Sequence, residues 1–309
     1  MPTIWSEQAS LWDPSIALKK TNRPLEMISD ASFQNGFAIY GPRHEDGMIA
    51  QYAGAKETTE KQVWNIAQWA VYRHPLTAET KRTDLPGGGF IYETDTVKLS
   101  VGDSADYLIR MEQRAEQEYL GHVRTFGEEW PHFLLEQHAC ADCEPALGEL
   151  NALDYEVSFR LEYEKCNMRK EDMNFNNMHH AQVTHYWAIA DVKRMDWFWF
   201  GLNFYDSRYD LFPGYLHVDE GKADASNKMI YVEKQETFSK QRARDGEWMD
   251  ISIDILPLIH KAVKAAKAKG CLKDVCVEDM KIISTNLGFE MMGNFDAAFM
   301  LRKLHLTGK

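Results

Sequence analysis

The sequence predicts an all-β protein: a single large jelly-roll β-sandwich with one late amphipathic helix over about 256–269. Three observations predict it. Apolar and polar residues alternate in long runs, the pattern of strands with one buried face. Turn signals separate the runs: Pro86-Gly87-Gly88-Gly89, Asp206-Ser207-Arg208, Pro213-Gly214 and Asp245-Gly246. Helical periodicity is clear only once, near the end of the chain. No low-complexity linker or internal repeat interrupts the 309 residues. Residues 1–309 therefore read as one sandwich domain, with residues 1–100 a further layer or extension of it.

Each element follows from its residues. Residues 104–119 fit two patterns: Tyr107, Leu108, Met111, Ala115 and Tyr119 suit a helix, whereas Tyr107, Ile109 and Met111 suit a strand, and neighbouring strands favour the second. Residues 130–138 (WPHFLLEQH) read as a strand, with Pro131 suited to its start or to an edge. Tyr155, Val157, Phe159, Leu161 and Tyr163 alternate with Glu156, Ser158, Arg160, Glu162 and Glu164. His180, Gln182, Thr184 and Tyr186 oppose Ala181, Val183, His185 and Trp187. The run WFWFGLNFYD at 197–206 is aromatic on both faces: Phe198, Phe200, Leu202 and Phe204 on one, Trp197, Trp199, Asn203 and Tyr205 on the other. Met249, Ile251, Ile253 and Ile255 form another half-buried strand. Pro257 opens the helix, Leu258, Ile259, Val263 and Ala266 make its stripe, and Gly270 stops it. Phe289, Met291, Phe295, Ala297, Phe299 and Leu301 share a last face, with Gly293 at a bulge or bend.

Composition limits the partners. The formal charge of −12, from 35 basic and 47 acidic residues, and the lack of a long basic stretch argue against nucleic acid or an anionic membrane. No apolar run reaches the length of about eighteen residues that a membrane-spanning helix needs. The N-terminus shows no basic start, apolar stretch and cleavage site, so the expected location is cytoplasmic, or secreted if a leader has been trimmed. Five cysteines in no disulfide rhythm suit a reducing compartment.

The open strand faces carry the candidate site. They collect Trp130, His132, Glu136, Arg160, Glu162, His180, Gln182, Tyr186, Trp197, Trp199, Asn203, Tyr205, Glu290 and Asn294. Were these strands to share one sheet, indole faces would meet the C–H side of a sugar ring, and amides, carboxylates and a guanidinium would bind its hydroxyls. The expected partner is an oligo- or polysaccharide. The plain alternative is that the strands lie in different sheets and their polar groups meet water.

Three of these strands resemble, in order, the motif strands of concanavalin-like jelly-roll polysaccharide lyases and related glycosidase-type sandwiches. SFRLEYE at 158–164 stands for R-[ST]-E-x-R, HAQVTH at 180–185 for Q-[IV]-H, and WFWFGLNFYD for Y-F-K-x-G-x-Y-N-Q. The resemblance covers about fifty residues. It implies the sandwich fold, a carboxylate-neutralising role for Arg160 and Gln182, and Gly201 as the motif glycine. It departs where Thr184 replaces the histidine, Trp199 the lysine and Asn203 the tyrosine that serves as proton donor or base. His180, Tyr186 or Tyr205 would have to supply that proton chemistry.

Other chemistries leave fainter traces. A glycoside hydrolase needs two carboxyls, about 5–5.5 Å apart for retention or roughly 6.5–9.5 Å for inversion. Glu136, Glu162 and Glu290 are the candidates, with His180 a further catalytic candidate. A structural or protein-interaction role is the remaining alternative. No metal or cofactor is expected, although a structural Ca²⁺ or Zn²⁺ stays open. Cys140-Ala-Asp-Cys143 could be half a zinc site with His138, Cys271 or Cys276, but free thiols suit the loose spacing better. His179, His180 and His185 face opposite ways along a strand, and Asp103 and Asp219 match no calcium loop. Gly87–Gly89 lacks the Lys-Ser/Thr and helix of a phosphate loop, and no G-x-S-x-G elbow exists.

Overall fold

The computed structural model describes residues 24–55, 62–102, 106–139, 144–220 and 226–309. Among them seventeen strands alternate with turns. The first seven are β1 Leu25–Glu26, β2 Phe37–Tyr40, β3 Met48–Tyr52, β4 Trp64–Ala67, β5 Arg82–Asp84, β6 Phe90–Glu93 and β7 Val97–Val101. Next come β8 Ile109–Arg114, β9 His132–His138, β10 Leu153–Cys166, β11 Ala181–Asp191 and β12 Asp196–Asp206. The last five are β13 Tyr215–Val218, β14 Met229–Glu233, β15 Met249–Asp254, β16 Lys281–Met291 and β17 Phe295–Gly308. A short helix, α1 Glu116–Tyr119, and a long one, α2 Leu256–Ala268, complete the regular structure.

The strands form two sheets, making an all-β sandwich of jelly-roll type. One sheet runs β15-β10-β17-β8-β7-β6-β5, with β1 added to β17. The other runs β13-β14-β12-β11-β16-β9-β4-β2-β3. Residues 25–101 supply end strands to both sheets, so this part of the chain belongs to each layer. Most neighbours are antiparallel, whereas β2–β4 and β12–β14 pair in parallel.

The core lies between the layers, built from the apolar halves of the alternating runs. Phe159 of β10 meets Phe204 of β12 at 5.2 Å between ring centroids, and Phe289 of β16 meets Phe299 of β17 at 5.0 Å. Trp187 packs edge-on against Tyr155 at 5.0 Å. Such pairs gain both area burial and favourable quadrupole geometry. One polar thread crosses this core: Tyr155 of β10 bonds His185 Nδ1 of β11 at 2.7 Å, and His185 Nε2 bonds Thr285 Oγ1 of β16 at 2.5 Å.

Helix α2 has Pro257 in its first turn and buries Leu256, Ile259, Ala262, Val263 and Ala266. Gly270 follows at a φ of 83°, a left-handed stop that suits glycine. Lys261 on its outer side reaches the buried Glu233 of β14 at 2.7 Å, tying the helix to the nine-stranded sheet. The ambiguous stretch 104–119 contains both answers: a strand over 109–114 and one helical turn over 116–119. The last apolar run is two strands in different sheets, with Gly293 in the turn that carries the chain from β16 to β17. Among the described residues no helix is long and apolar enough to cross a membrane.

Candidate functional site

The register of the nine-stranded sheet determines which side chains share its face away from the core. Residues directly opposite on neighbouring strands project to the same side. One row reads His132 (β9), Glu290 (β16), Gln182 (β11), Asp206 (β12). A second row reads Asn65 (β4), Glu136 (β9), Asn286 (β16), Tyr186 (β11), Gly201 (β12), Val232 (β14), Tyr215 (β13). Between them lie Thr184 and Asn203, and beyond the second row lie Ala188 and Trp199.

Glu290 is the centre of the first row. Its Oε2 accepts from Trp130 Nε1 at 3.2 Å and its Oε1 from Gln182 Nε2 at 3.1 Å, while His132 Nε2 stands 3.5 Å from Oε2. The Trp130 and His132 rings stack at 5.6 Å. Behind Trp130, the buried Arg124 guanidinium lies 5.0 Å from the indole centroid and donates to the Glu128 and Asn177 carbonyls. Two loops thereby hold the indole in place. His180 is buried beside Asp206, Arg208 and Glu290; its Nδ1 bonds the Met178 carbonyl at 2.7 Å, and desolvation lowers its pKa to about 4. Asp206 is sealed, its carboxylate clamped by Arg208 at 2.9 and 2.6 Å.

The second row is different in chemistry. Glu136 has no ion pair and no hydrogen bond to a described residue, and desolvation alone raises its pKa to about 7. Tyr186 lies down across β12, because a Cβ on Gly201 would come within 2.7 Å of its ring carbons. Laid flat, its hydroxyl meets that of Tyr215 at 3.1 Å. Burial pushes both phenols above their usual pKa. Three buried polar atoms on this face, Asn203 Oδ1, Asn286 Oδ1 and His132 Nδ1, have no hydrogen-bond partner among the described residues. Asn203 uses only its amide nitrogen, toward Thr184 Oγ1 at 2.8 Å.

The structure brings together Trp130, His132, Glu136, His180, Gln182, Tyr186, Trp199, Asn203 and Glu290 from the sequence candidates. Three others lie elsewhere. Arg160 and Glu162 belong to β10, in the opposite sheet, where their face points away from the core; Glu162 pairs with Arg110 at 2.6 Å. Tyr205 is turned inward. The register slips between Val183 and Thr184, so Tyr205 stands opposite the core residue Val183, and its hydroxyl donates to Glu164. The lyase-type set of Arg160, Gln182 and Tyr205 is therefore not assembled.

Two further expectations are corrected by geometry. Trp197 and Trp199 share the open side, but their rings stand at 84° to each other, so they make no flat platform. Trp197 is buried in a small cluster with Ala188, Ala190 and Ile283, leaving Trp199 as the accessible indole. Glu136 and Glu290 are four positions apart along paired strands, since Glu290 faces His132 and Glu136 faces Asn286. Their backbones are thus about 13 Å apart along the strand direction, and the Glu290 carboxylate is held by Trp130 and Gln182. Asn294, also assigned to an open face, bonds Glu116 from the β16–β17 turn.

Sequence reasoning missed part of this face. Tyr40, Trp69, Asn65 and Tyr215 sit on strands or turns too short for alternation to reveal, although Asn65, Ala67 and Trp69 do carry a period of two; Asn286 lies on the long β16, ahead of the run read from Phe289 onward. Among the described residues no group of three metal-ligating side chains occurs. Cys140, Cys143 and Asp103 lie outside the described residues. Cys276 donates to Glu278, and His179 is spent on Arg124 O and Asn174 N.

No family model matches the chain, and no curated protein matches it. Among solved structures it is similar to a native family 12 xyloglucanase from Bacillus licheniformis, at 6% identity and a TM-score of 0.43, covering 74% of this chain and 97% of that one. It is similar to the family 11 xylanase from Neocallimastix patriciarum, at 8% identity and 0.38, covering 74% and 95%. A third likeness is to the xyloglucanase domain of NopAA, a type three effector from Sinorhizobium fredii in complex with cellobiose, at 10% identity and 0.35, covering 74% and 100%. These likenesses assign no role to any residue of this chain.

Proposed function

We propose that the open face of the nine-stranded sheet binds a glycan without cleaving it. One observation carries this reading: the rings of Trp130, Tyr186 and Trp199 share that face with the Gln182 amide and the Glu290 carboxylate, apolar and hydrogen-bonding surface side by side. Trp130, Tyr186 and Trp199 offer apolar surface to sugar rings, and Gln182 and Glu290 offer acceptors and donors beside them. Arg208, beside this row, is already neutralised by Asp206, so it offers no free cation to a uronate carboxylate.

Lyase chemistry has little support, because Arg160 and Tyr205 face elsewhere. A second reading, hydrolysis, is favoured by one observation: desolvation raises the Glu136 pKa to about 7, the range a general acid needs. Its difficulty is the second carboxyl, since Glu290 is distant along the strands and Asp206 is clamped. The test is a polysaccharide panel scored for binding, for reducing ends and for unsaturated products, using wild type, Trp130→Ala and Trp199→Ala. Binding by the wild type that both variants weaken, with no products, is the expected result. Reducing ends lost on Glu136→Gln would replace binding by hydrolysis, and binding unchanged in both tryptophan variants would overturn the site.

A further inference from the structure

We infer that Arg124 is a positioning residue of the open face: from the buried side it fixes the Trp130 indole in the place where a ligand meets it. The inference rests on the glycan reading above and adds to it the group that sets the orientation of the ring. Arg124 is one of the few charged side chains buried in this protein, at 1% exposure. The buried carboxylates Asp191, Asp206 and Glu233 each meet a cation, from Arg194, Arg208 and Lys261 in turn. Arg124 makes no ion pair with a described residue, and desolvation draws its pKa below the ordinary value. A buried cation without a counter-charge is costly unless other groups replace its water.

Three groups replace it here. Arg124 Nε donates to the Glu128 carbonyl at 2.9 Å, and Nη1 donates to the Asn177 carbonyl at 2.5 Å. Its Cζ lies over the Trp130 ring, 5.0 Å from the centroid, where the negative face of the indole attracts it. The edge of the same ring is fixed by the opposite charge, since Trp130 Nε1 donates to Glu290 Oε2 at 3.2 Å. A cation on the face and a carboxylate at the N–H settle both the tilt and the rotation of one indole. The backbone of Arg124 is held as firmly. Its carbonyl accepts from His179 Nε2 at 2.6 Å, while His179 Nδ1 accepts the Asn174 N–H at 3.0 Å, so this imidazole is the neutral Nε2–H tautomer. Asn177 Oδ1 accepts the Phe126 N–H at 3.1 Å. Segments 120–131 and 167–180 are thereby clipped together, and each runs into a strand of the open face, β9 with His132 and β11 with Gln182. A ring already held in place loses little freedom when a ligand covers it. A residue that touches no ligand can raise affinity in this way.

The test is a double-mutant cycle: cellohexaose, xylohexaose and mannohexaose titrated calorimetrically against wild type, Arg124→Met, Trp130→Ala and the double variant. For a sugar that the wild type binds, Arg124→Met should lower affinity about tenfold, yet by less than about twofold once Trp130 is already alanine. In protein labelled with nitrogen-15 tryptophan, the Trp130 indole N–H signal is assigned by its loss in Trp130→Phe. That signal should shift and broaden in Arg124→Met, a change that a general loss of stability would not confine to one of nine indoles. Should Arg124→Met fail to fold, Arg124→Lys, which keeps the charge and loses the planar fork, takes its place with the same criteria. Unchanged affinity in the arginine variant, a tenfold loss that persists without Trp130, or an unmoved indole signal overturns the positioning role and leaves the glycan reading intact. Binding to none of the three sugars overturns the glycan reading, and the indole signal then decides the role of Arg124 by the same criterion.

Discussion

At the scale of single residues, desolvation sets the titration of Glu136 and His180 on the open face. Glu136 ordinarily titrates near 4.5 and is raised to about 7 in the folded chain. Between those values the unfolded chain has lost its proton and the folded chain has not, so stability falls as pH rises from about 4.5 to 7 and stays reduced above. The penalty is about 2 kcal/mol once partial exposure is allowed for. We expect Glu136→Gln to raise the urea midpoint at pH 8 and to change it little at pH 4; equal shifts at both would contradict a desolvated carboxyl. Histidines act at the other end of the scale. Burial lowers His180 to about 4 and His185 to about 3, so the unfolded chain takes up protons first as pH falls below 6.5. Stability should decline from pH 6.5 toward 4, and His180→Gln should flatten that decline in a pH series of unfolding curves.

At the scale of elements, β12 shows how one strand serves core and surface. Phe198, Phe200, Leu202 and Phe204 line the inter-sheet core, as alternation requires. The slip in pairing near its end then sends Tyr205 inward as well, so strict alternation holds only up to Asn203. Gly201 acts locally, leaving room for the Tyr186 ring to lie across the strand. Alanine there would lift that ring and break the Tyr186–Tyr215 contact, a strain of about 1–3 kcal/mol. Gly288 is under tighter constraint, since a Cβ would come within 2.1 Å of the Phe133 carbonyl oxygen of the neighbouring strand. We therefore expect Gly288→Ala to destabilise more than Gly201→Ala in denaturant titrations, because backbone yields less readily than a side-chain ring.

At the scale of the whole molecule, two large sheets are joined mainly by apolar packing, which is not directional. The Tyr155–His185–Thr285 thread supplies direction, linking β10 in one layer to β11 and β16 in the other. Tyr155→Phe removes one hydroxyl from a dry core and leaves His185 Nδ1 unpaired. A cost of about 1–3 kcal/mol is expected, seen as a lower urea midpoint at pH 7. The same layering explains the charge distribution around Arg160. The outer face of the eight-stranded sheet pairs Arg110 with Glu112 and Glu162, Arg302 with Asp250 and Lys303 with Glu156, an ion lattice with little aromatic surface. Polar groups read from sequence as one surface belong to two opposite sides of the sandwich.

The sequence by itself determined the period-two runs, the inward side of each run and the single amphipathic helix, because side-chain direction along a strand is a local property. It also marked Trp130, His132, Gln182, Tyr186, Trp199 and Glu290 as outward-facing residues worth joining. Only the tertiary structure decided which of them meet. Sheet membership depends on pairing between segments as distant as β9 and β16, and no local period records that partner. Bulges, which reverse a face by one residue, put Tyr205 in the core, and sheet membership put Arg160 and Glu162 on the far side. Short strands such as β2 and β4 hold too few residues to show a period, so Tyr40 and Trp69 became visible only when the fold set that end of the sheet beside His132.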